Sequence, residues 1–257
     1  MHLRNFRQSK SAISKVCDGD PFTVVTYNLL ADGYAMANGT CGHSESIAWN
    51  ARAPALVKEL QTYDADIMSL QEVEFPFLET TLGPHFRSKG YDWMYYGRKT
   101  MLPDHGILDE GACLMFRKSR FYCEASETVR FGNLAYHLTS QGSKQVLKSP
   151  KSLEILRERD DGAVLALLRD RQAEDKLLLV AATHLFWDPQ YANVKAAQAS
   201  LLRWSALNFV KTFFWQKNEP KMLIQNVGMV LAGDFNSLPD SEAYRSLVDE
   251  NFRLPDD

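Results

Sequence analysis

No hydrophobic run in this chain approaches the ~20 residues that a membrane-spanning helix needs, and no signal-peptide core is visible, so no membrane partner is expected. Cysteine is scarce. Cys17, Cys41, Cys113 and Cys123 form no C-x-x-C pair and have no regular spacing, which reads as reduced thiols in an intracellular protein rather than a disulfide framework. A strong charge of one sign is also missing. The net charge of −3 provides no global basic field, so nucleic-acid binding would need a local patch or a bound cation. No H-E-x-x-H or Cys/His cluster points to zinc. Without G-x-x-x-x-G-K-[ST] there is no phosphate loop for nucleoside triphosphates, and without G-x-S-x-G there is no serine-hydrolase elbow.

What is present is a globular composition, 45% hydrophobic and 24% charged, over 257 residues that can bury a sizeable core. Residues 1–20 read as a flexible basic arm: Arg4, Arg7, Lys10 and Lys15 come with no acid before Asp18. The arm faintly resembles a transit peptide, so the expected location is cytoplasmic, with the mitochondrion as the alternative. Residues 21–257 read as one domain. Phe22 to Tyr27, Ile67 to Leu70, Tyr91 to Tyr96, Ala112 to Phe116, Ala163 to Leu168, Leu177 to Ala182 and Val227 to Ala232 are expected as strands. Ile47 to Tyr63, Phe75 to Phe86, Tyr191 to Phe214 and Ser241 to Val248 are expected as helices, with Asp240 or Ser241 capping the last. In the long helix, Val194, Ala197, Leu201, Trp204 and Leu207 fall on one face, a core stripe. Ala31 to Ser46 reads as a loop, and Leu134 to Leu156 as a loop with one helix. Interleaved strands and helices with a hairpin in the middle favour a mixed sheet layered with helices.

Polar groups recur where the apolar strands end: Asn28, Glu72, His184 and Asp234. The last is the most telling. Asp234 and Asn236 lie two positions apart, and on an extended chain side chains two apart point to the same side. A carboxylate and a carboxamide emerging together suit a metal-assisted hydrolysis, one taking a proton from water and the other holding a phosphate oxygen. Glu72 and Asp234 are hard oxygen donors that fit Mg²⁺, or Mn²⁺, rather than zinc.

Thr26-Tyr27-Asn28-Leu29-Leu30, Leu70-Gln71-Glu72-Val73-Glu74, Thr183-His184-Leu185 and Gly233-Asp234-Phe235-Asn236-Ser237 occur in the order of the motifs of the endonuclease/exonuclease/phosphatase superfamily, and about residues 22 to 248 resemble it. Trp187-Asp188-Pro189-Gln190-Tyr191 and Ser237-Leu238-Pro239-Asp240-Ser241 are similar to the branch of carbon catabolite repressor 4, which includes mRNA deadenylases, nocturnin, the angel proteins and the 2′-phosphodiesterases. The resemblance implies an α/β four-layer sandwich, two mixed sheets flanked by helices, and Mg²⁺-dependent cleavage of phosphodiesters. By position, Glu72 is then the main metal ligand and Asn28 supports it. Asp234 orients or deprotonates water, Asn236 holds the scissile phosphate, and His184 donates to the charge developing on phosphorus. Pro189 becomes a candidate base contact and Asp160 a candidate substrate contact.

The implied substrate is RNA, a poly(A) or other oligonucleotide 3′ end. A 2′-5′ phosphodiesterase, a nucleotide phosphatase and a non-catalytic RNA-binding relative are the alternatives. No leucine-rich-repeat docking segment is expected. Glu110-Gly111 stands where relatives carry Asp-Gly, and Asp160 where deadenylases carry Asn. The family's closing Ser-Asp-His is not found before Asp257, so the expectation is a sandwich incomplete at its C-terminus and a weak or dead catalyst. Mg²⁺-dependent nuclease activity from the 257-residue chain, abolished by Asp234→Ala, would overturn that expectation.

Overall fold

The computed structural model describes residues 21–37, 48–138, 149–218 and 227–249. In chain order the elements are β1 (Val24–Asn28), α1 (Asp32–Ala37), α2 (Trp49–Tyr63), β2 (Ile67–Glu74), then α3 (Phe75–Phe77) and α4 (Gly83–Ser88) joined by a π-helical turn, Leu78–Leu82. There follow β3 (Tyr91–Leu102), β4 (Gly106–Arg117), β5 (Phe121–Arg130), a 3-10 turn (Phe131–Leu138), α5 (Pro150–Glu158), β6 (Gly162–Asp170), β7 (Ala173–His184), α6 (Ala192–Gln216), β8 (Val227–Asp234) and α7 (Glu242–Val248).

The strands form two mixed sheets with orders β1-β2-β4-β3 and β5-β6-β7-β8. Each contains one parallel pair, β1 with β2 and β7 with β8, followed by antiparallel neighbours. The period-2 alternation of side chains explains the layering. Ile67, Leu114, Phe116, Val164, Ala166, Leu168, Val180 and Ala182 point between the sheets. Their chain neighbours point outward: Met68, Leu70, Cys113 and Met115 pack under α2 to α4, and Ala163, Leu165, Leu167, Leu179 and Ala181 under α6 and its neighbours. Strands buried on both faces need continuous apolar runs, which is what the sequence carries at 163–168 and 177–182.

This α/β sandwich matches the fold expected from the sequence, and the departures from that expectation are local. Residues read as the start of a loop at Ala31 form the short helix α1, because tertiary partners hold it. Ala35 is fully buried, and the Gly33 N–H donates to Glu74 Oε1 at 2.9 Å. The strands at 91–96 and 112–116 are halves of a longer hairpin, β3–β4, that continues to Leu102 and Gly106. Strand β5 was not expected at all. A bulge between Cys123 and Ala125 breaks its alternation, and one face is polar. In α6, Trp204 and Leu207 are exposed. The helix is buried all round over Val194–Leu202, and its core face then continues through Ala206, Phe209 and Phe213. Pro54 lies in the second turn of α2. Ser241 caps α7, accepting from the Tyr244 N–H at 3.2 Å. Cys113 and Cys123 are free thiols. The basic arm 1–20, Cys17, Cys41, parts of the expected loops (38–47 and 139–148) and the tail from Asn251 lie outside the described residues.

The parallel pairings place the chemistry. Asn28 lies beside Gln71, next to Glu72, and His184 lies beside Asp234. The C-terminal ends of two parallel pairs therefore carry all four strand-end polar groups, at the kind of location where layered α/β proteins place their ligands. Close approach of β7 and β8 requires Gly233. A Cβ there would lie 2.2 Å from the Thr183 carbonyl oxygen, and its φ of +157° suits no other residue well. Gly233→Ala is expected to cost at least about 1–3 kcal/mol, as overpacking does, seen as a lower urea midpoint with an unchanged m-value.

Candidate active site

Two backbone irregularities aim the functional groups of the first sheet. A bulge interrupts the β2–β4 register between Leu70 and Val73, and Glu72 within it adopts φ +54°. Such a bulge re-aims a side chain at a small cost in strain. Strand β2 therefore does not end at Glu72, as its apolar run suggested, but bends there and continues to Glu74. The Ala31 N–H donates to Glu72 Oε2 at 3.0 Å, and Asn28 Nδ2 donates to Glu72 Oε1 at 2.7 Å. The same Nδ2 donates to Asp234 Oδ2 at 3.1 Å, so one amide bridges carboxylates from both sheets. Asn28 Oδ1 is turned away and accepts from the Leu30 N–H at 2.9 Å.

The second sheet contributes His184 and Asp234 side by side, followed by Asn236. The extended-chain argument for pairing Asp234 with Asn236 does not hold. Asn236 sits at φ +46° in a turn that its own N–H closes onto Asp234 Oδ1 at 2.9 Å. The turn, not strand alternation, brings the groups together. Asn236 Nδ2 donates to the Leu185 carbonyl at 2.9 Å and lies 3.0 Å from His184 Nε2. Thr26, Asn28, Gln71, Asp234 and Asn236 line a cavity of about 310 Å³.

Behind His184 lies a buried charge cluster that sequence reading missed. Arg98 is paired with both Glu110 and Asp161, and its Nη2 lies 3.3 Å from His184 Nδ1. Asp161 Oδ2 also accepts from Arg159 Nε and Gln198 Nε2, each at 2.9 Å, and Tyr34 OH donates to Glu110 Oε1 at 3.1 Å. Burial opposes the charge on Arg98, but the two carboxylates outweigh it and hold the guanidinium above its ordinary range. The sequence did carry a signal. Met94, Tyr96 and Arg98 alternate onto the inner face of β3, which places an arginine between the sheets and calls for carboxylates opposite it.

The remaining candidates lie apart from these groups. Asp160 is half-exposed, and its Oδ1 accepts from Arg130 Nε at 2.7 Å. The carboxylate held in the cluster is its neighbour Asp161. Pro189 is exposed in a turn where the Gln190 N–H donates to Asp188 Oδ1 at 2.9 Å. Beside the strand ends runs a cleft of about 500 Å³, lined by Arg98, Lys99, Ile155, Arg159, Asp160, Phe186 and Tyr191, in which the Arg159 guanidinium lies over the Phe186 ring at 4.3 Å.

The electrostatics are set mainly by burial. It pushes the Glu72 carboxyl above its usual value, against the hydrogen bonds from Asn28 and Ala31. It pushes His184 down to about 4, with Arg98 adding to the effect and Asp234 opposing it. The imidazole is therefore neutral at pH 7, and its 3.9 Å separation from Asp234 Oδ2 is not an ion pair. The donor set suits a hard divalent cation. An amide N–H group now bridges Glu72 and Asp234, a position that favours positive charge. Among the described residues no three Asp, Glu, His or Cys side chains are placed to hold one ion together, so an ion there would keep waters or substrate oxygens, as Mg²⁺ commonly does. Asn28 could supply an oxygen ligand only by turning its carboxamide over.

The family model described as the Endonuclease/Exonuclease/phosphatase family matches residues 25–255. The CCR4-NOT transcription complex subunit 6-like-B of Xenopus laevis is 30% identical over 232 residues, which is 86% of this chain and 42% of that protein. The CCR4-Not complex 3′-5′-exoribonuclease subunit Ccr4 of Candida albicans is 29% identical over 233 residues, 88% of this chain and 28% of that one. This chain thus spans less than half the length of these relatives. Among solved structures, ANGEL2, a 2′,3′-cyclic phosphatase, superposes with a TM-score of 0.64 at 25% identity, over 87% of this chain and 55% of that one. The human Nocturnin catalytic domain, at 20% identity, shares the fold with a TM-score of 0.62 over 90% of this chain and 69% of its own.

Two outcomes follow from the geometry. Removing Arg98 leaves Glu110 and Asp161 buried and uncompensated, so Arg98→Met is expected to cost about 3–5 kcal/mol in chemical denaturation. The folded chain also holds the Glu72 proton more tightly than the unfolded chain does. The stability this gives is complete below about pH 4.3, the ordinary glutamate value, and is lost as pH rises through the raised folded value. Glu72→Gln in EDTA should therefore flatten the fall in Tm between about pH 4 and pH 8. Parallel curves for variant and wild type would refute the burial effect.

Proposed function

This chain belongs to the endonuclease/exonuclease/phosphatase family, and from that premise we propose that the protein is a Mg²⁺-dependent phosphodiester hydrolase of the 3′-5′ exoribonuclease type, acting on poly(A) or a similar RNA 3′ end. The observation that carries the reading is the convergence of Asn28, Glu72, His184, Asp234 and Asn236 at the C-terminal ends of two parallel strand pairs, joined through the Asn28 amide. The 3′-5′ exoribonuclease reading is supported by the likeness to the Candida 3′-5′-exoribonuclease subunit. A divalent ion held by Glu72, with Asn28 in support, would supply positive charge to a phosphoryl oxygen, and Mn²⁺ is the alternative to Mg²⁺.

The chain's own residues do the rest. Asp234 accepts the proton of the attacking water while the bond to the leaving ribose oxygen breaks. Its carboxylate is fixed for this by the Asn236 N–H on one oxygen and the Asn28 amide on the other. Asn236 Nδ2 holds the scissile phosphate. Neutral His184 donates to the charge developing on the phosphoryl oxygens, where preorganised donors lower the barrier. The adjoining cleft offers Arg159 and Lys99 for phosphates and Phe186 and Tyr191 for a base. Pro189 and Asp160 remain proposed contacts at its margin, and a cytoplasmic or mitochondrial location belongs to the same proposal.

The likeness to ANGEL2 favours a second reading, hydrolysis of a 2′,3′-cyclic or other terminal phosphate by the same groups. To separate the readings, the 257-residue chain and any longer product of its gene are assayed on poly(A), 2′-5′ oligoadenylate, a 2′,3′-cyclic nucleotide and NADPH. Poly(A) shortening from the 3′ end is expected of a longer product carrying the closing motif, lost at least ~10²-fold in Asp234→Ala and Glu72→Ala, and weak or absent in the 257-residue chain. Turnover of the cyclic nucleotide alone would favour the second reading. Salt-sensitive RNA binding without turnover would favour a non-catalytic RNA-binding protein. Mg²⁺ should raise the Tm of the wild type but not of Glu72→Gln, a readout that needs no turnover.

A further inference from the structure

Glu72 and Asn28 are held by backbone N–H groups as well as by each other. The Ala31 N–H donates to Glu72 Oε2 at 3.0 Å, and the Leu30 N–H donates to Asn28 Oδ1 at 2.9 Å. Each of these N–H groups is one end of a peptide unit whose other end is a carbonyl. The Ala31 N–H shares its plane with the Leu30 carbonyl, and the Leu30 N–H with the Leu29 carbonyl. Among the described residues no peptide bond is cis, so in each rigid plane the C=O and the N–H point opposite ways. Gripping the carbonyl therefore aims the N–H. One side chain grips both. Arg52 Nη1 donates to the Leu29 carbonyl at 2.8 Å and also to the Leu30 carbonyl. Leu30, between the two planes at φ +57°, turns both carbonyls to the side where a single nitrogen reaches them.

Arg52 is itself anchored. Its guanidinium lies 4.9 Å from the ring centre of Trp49, one turn earlier in α2, and its Nη2 lies 3.4 Å from Asp32 Oδ1. It does not line the cavity. We propose that Arg52 is a positioning residue for the divalent-cation site, acting through two peptide planes: it holds the Ala31 N–H on Glu72 and the Leu30 N–H on Asn28. Three effects follow. A carboxylate with one oxygen already fixed has less rotamer freedom to lose when an ion binds. The guanidinium charge polarises both peptide units and strengthens their N–H donors. With its oxygen held, the Asn28 carboxamide keeps its nitrogen on Glu72 and Asp234 instead of turning over. Outer partners that orient a metal ligand in this way are typically worth about 10–100-fold in metal affinity. The proposal rests on the reading that Glu72 holds a divalent ion, but the relay through the two peptides is present in the metal-free protein and can be read there.

The test has two arms. In the first, the metal-free chain is labelled with ¹⁵N, and the amide proton shifts of Leu30 and Ala31 report the strength of their hydrogen bonds. Arg52→Met is expected to move both upfield. Glu72→Gln should move the Ala31 signal in the wild type and move it far less in the Arg52→Met background, where the donor is no longer aimed. Unmoved Leu30 and Ala31 signals in Arg52→Met, or an equal response of Ala31 to Glu72→Gln in both backgrounds, overturn the relay. In the second arm, Mg²⁺ affinity is measured by calorimetry on the folded protein. Arg52→Met is expected to weaken it at least about tenfold. Leu56→Ala, which removes a buried contact of the same helix, should lower the Tm and leave the Kd unchanged. A wild-type Kd in Arg52→Met, or an equal loss of affinity in Leu56→Ala, makes Arg52 a structural residue only and overturns the proposal. Should Arg52→Met not fold, Arg52→Lys, which keeps the charge but not the planar fork, replaces it in both arms with the same directions expected, and unchanged values overturn the proposal. A wild type that binds Mg²⁺ no better than Glu72→Gln overturns the cation reading beneath the proposal, and the first arm still decides whether Arg52 aims the two N–H groups.

Discussion

Ile67, Leu114 and Phe116 of one sheet pack against Val164, Ala166, Leu168, Val180 and Ala182 of the other, and this dry contact sets where every functional group lies. Neither sheet has a complete site. One ends in an amide and a carboxylate, Asn28 and Glu72, and the other in an imidazole and a carboxylate, His184 and Asp234. Only when the two inner faces are buried against each other does the Asn28 amide reach Asp234, 206 positions along the chain. Apolar burial is the main force favouring the fold, and here it also holds two carboxylates close enough to share one donor.

That arrangement carries an electrostatic cost that the interior meets in two ways. Toward the cavity, the Asn28 amide and the Ala31 N–H bind the Glu72 carboxylate, yet burial still favours its proton. Toward the core, Arg98 is enclosed by Glu110 and Asp161, with Gln198 and Arg159 satisfying Asp161 further out. Burial keeps the His184 ring neutral, Arg98 adds to that effect, and the cluster gives its Nδ1 edge a fixed neighbour. It also means that the positive charge of Arg98 is already spent on two carboxylates. Of the cations lining the neighbouring cleft, Arg159 is also engaged with Asp161, and Lys99 stands outside the cluster.

Much of this was legible in the sequence wherever one residue type has one structural use. Apolar runs that end in Asn28, Glu72, His184 and Asp234 are strands by pattern, and the polar residues at their ends are costly unless they work together. The illegible parts share a cause, since each depends on a partner far along the chain. Helix α1 is weak by its own propensity and holds through Glu74. Strand β5 hides its alternation behind a bulge. Asp161 rather than Asp160 faces the core because Gly162 begins β6 and fixes the side on which its predecessor lies, which the run Arg159-Asp160-Asp161-Gly162 does not state. Asn236 reached the right place for a different reason from the one first given, through a turn and not through an extended strand.

Three residues around the cavity, Leu30, Glu72 and Asn236, sit in the left-handed region that disfavours side chains. The consequence is a limit on how far this protein can be improved as a folded object without being spoiled as a chemical one. Glycine at any of the three would relieve the backbone by a fraction of about 1–3 kcal/mol. At Glu72 and Asn236 that relief deletes the group the strain exists to aim. At Leu30, whose side chain is 39% exposed and takes no part in the cavity, it deletes nothing chemical. A search for stability among variants would therefore accept glycine readily at position 30, and at 72 and 236 it would trade the site for a more comfortable fold.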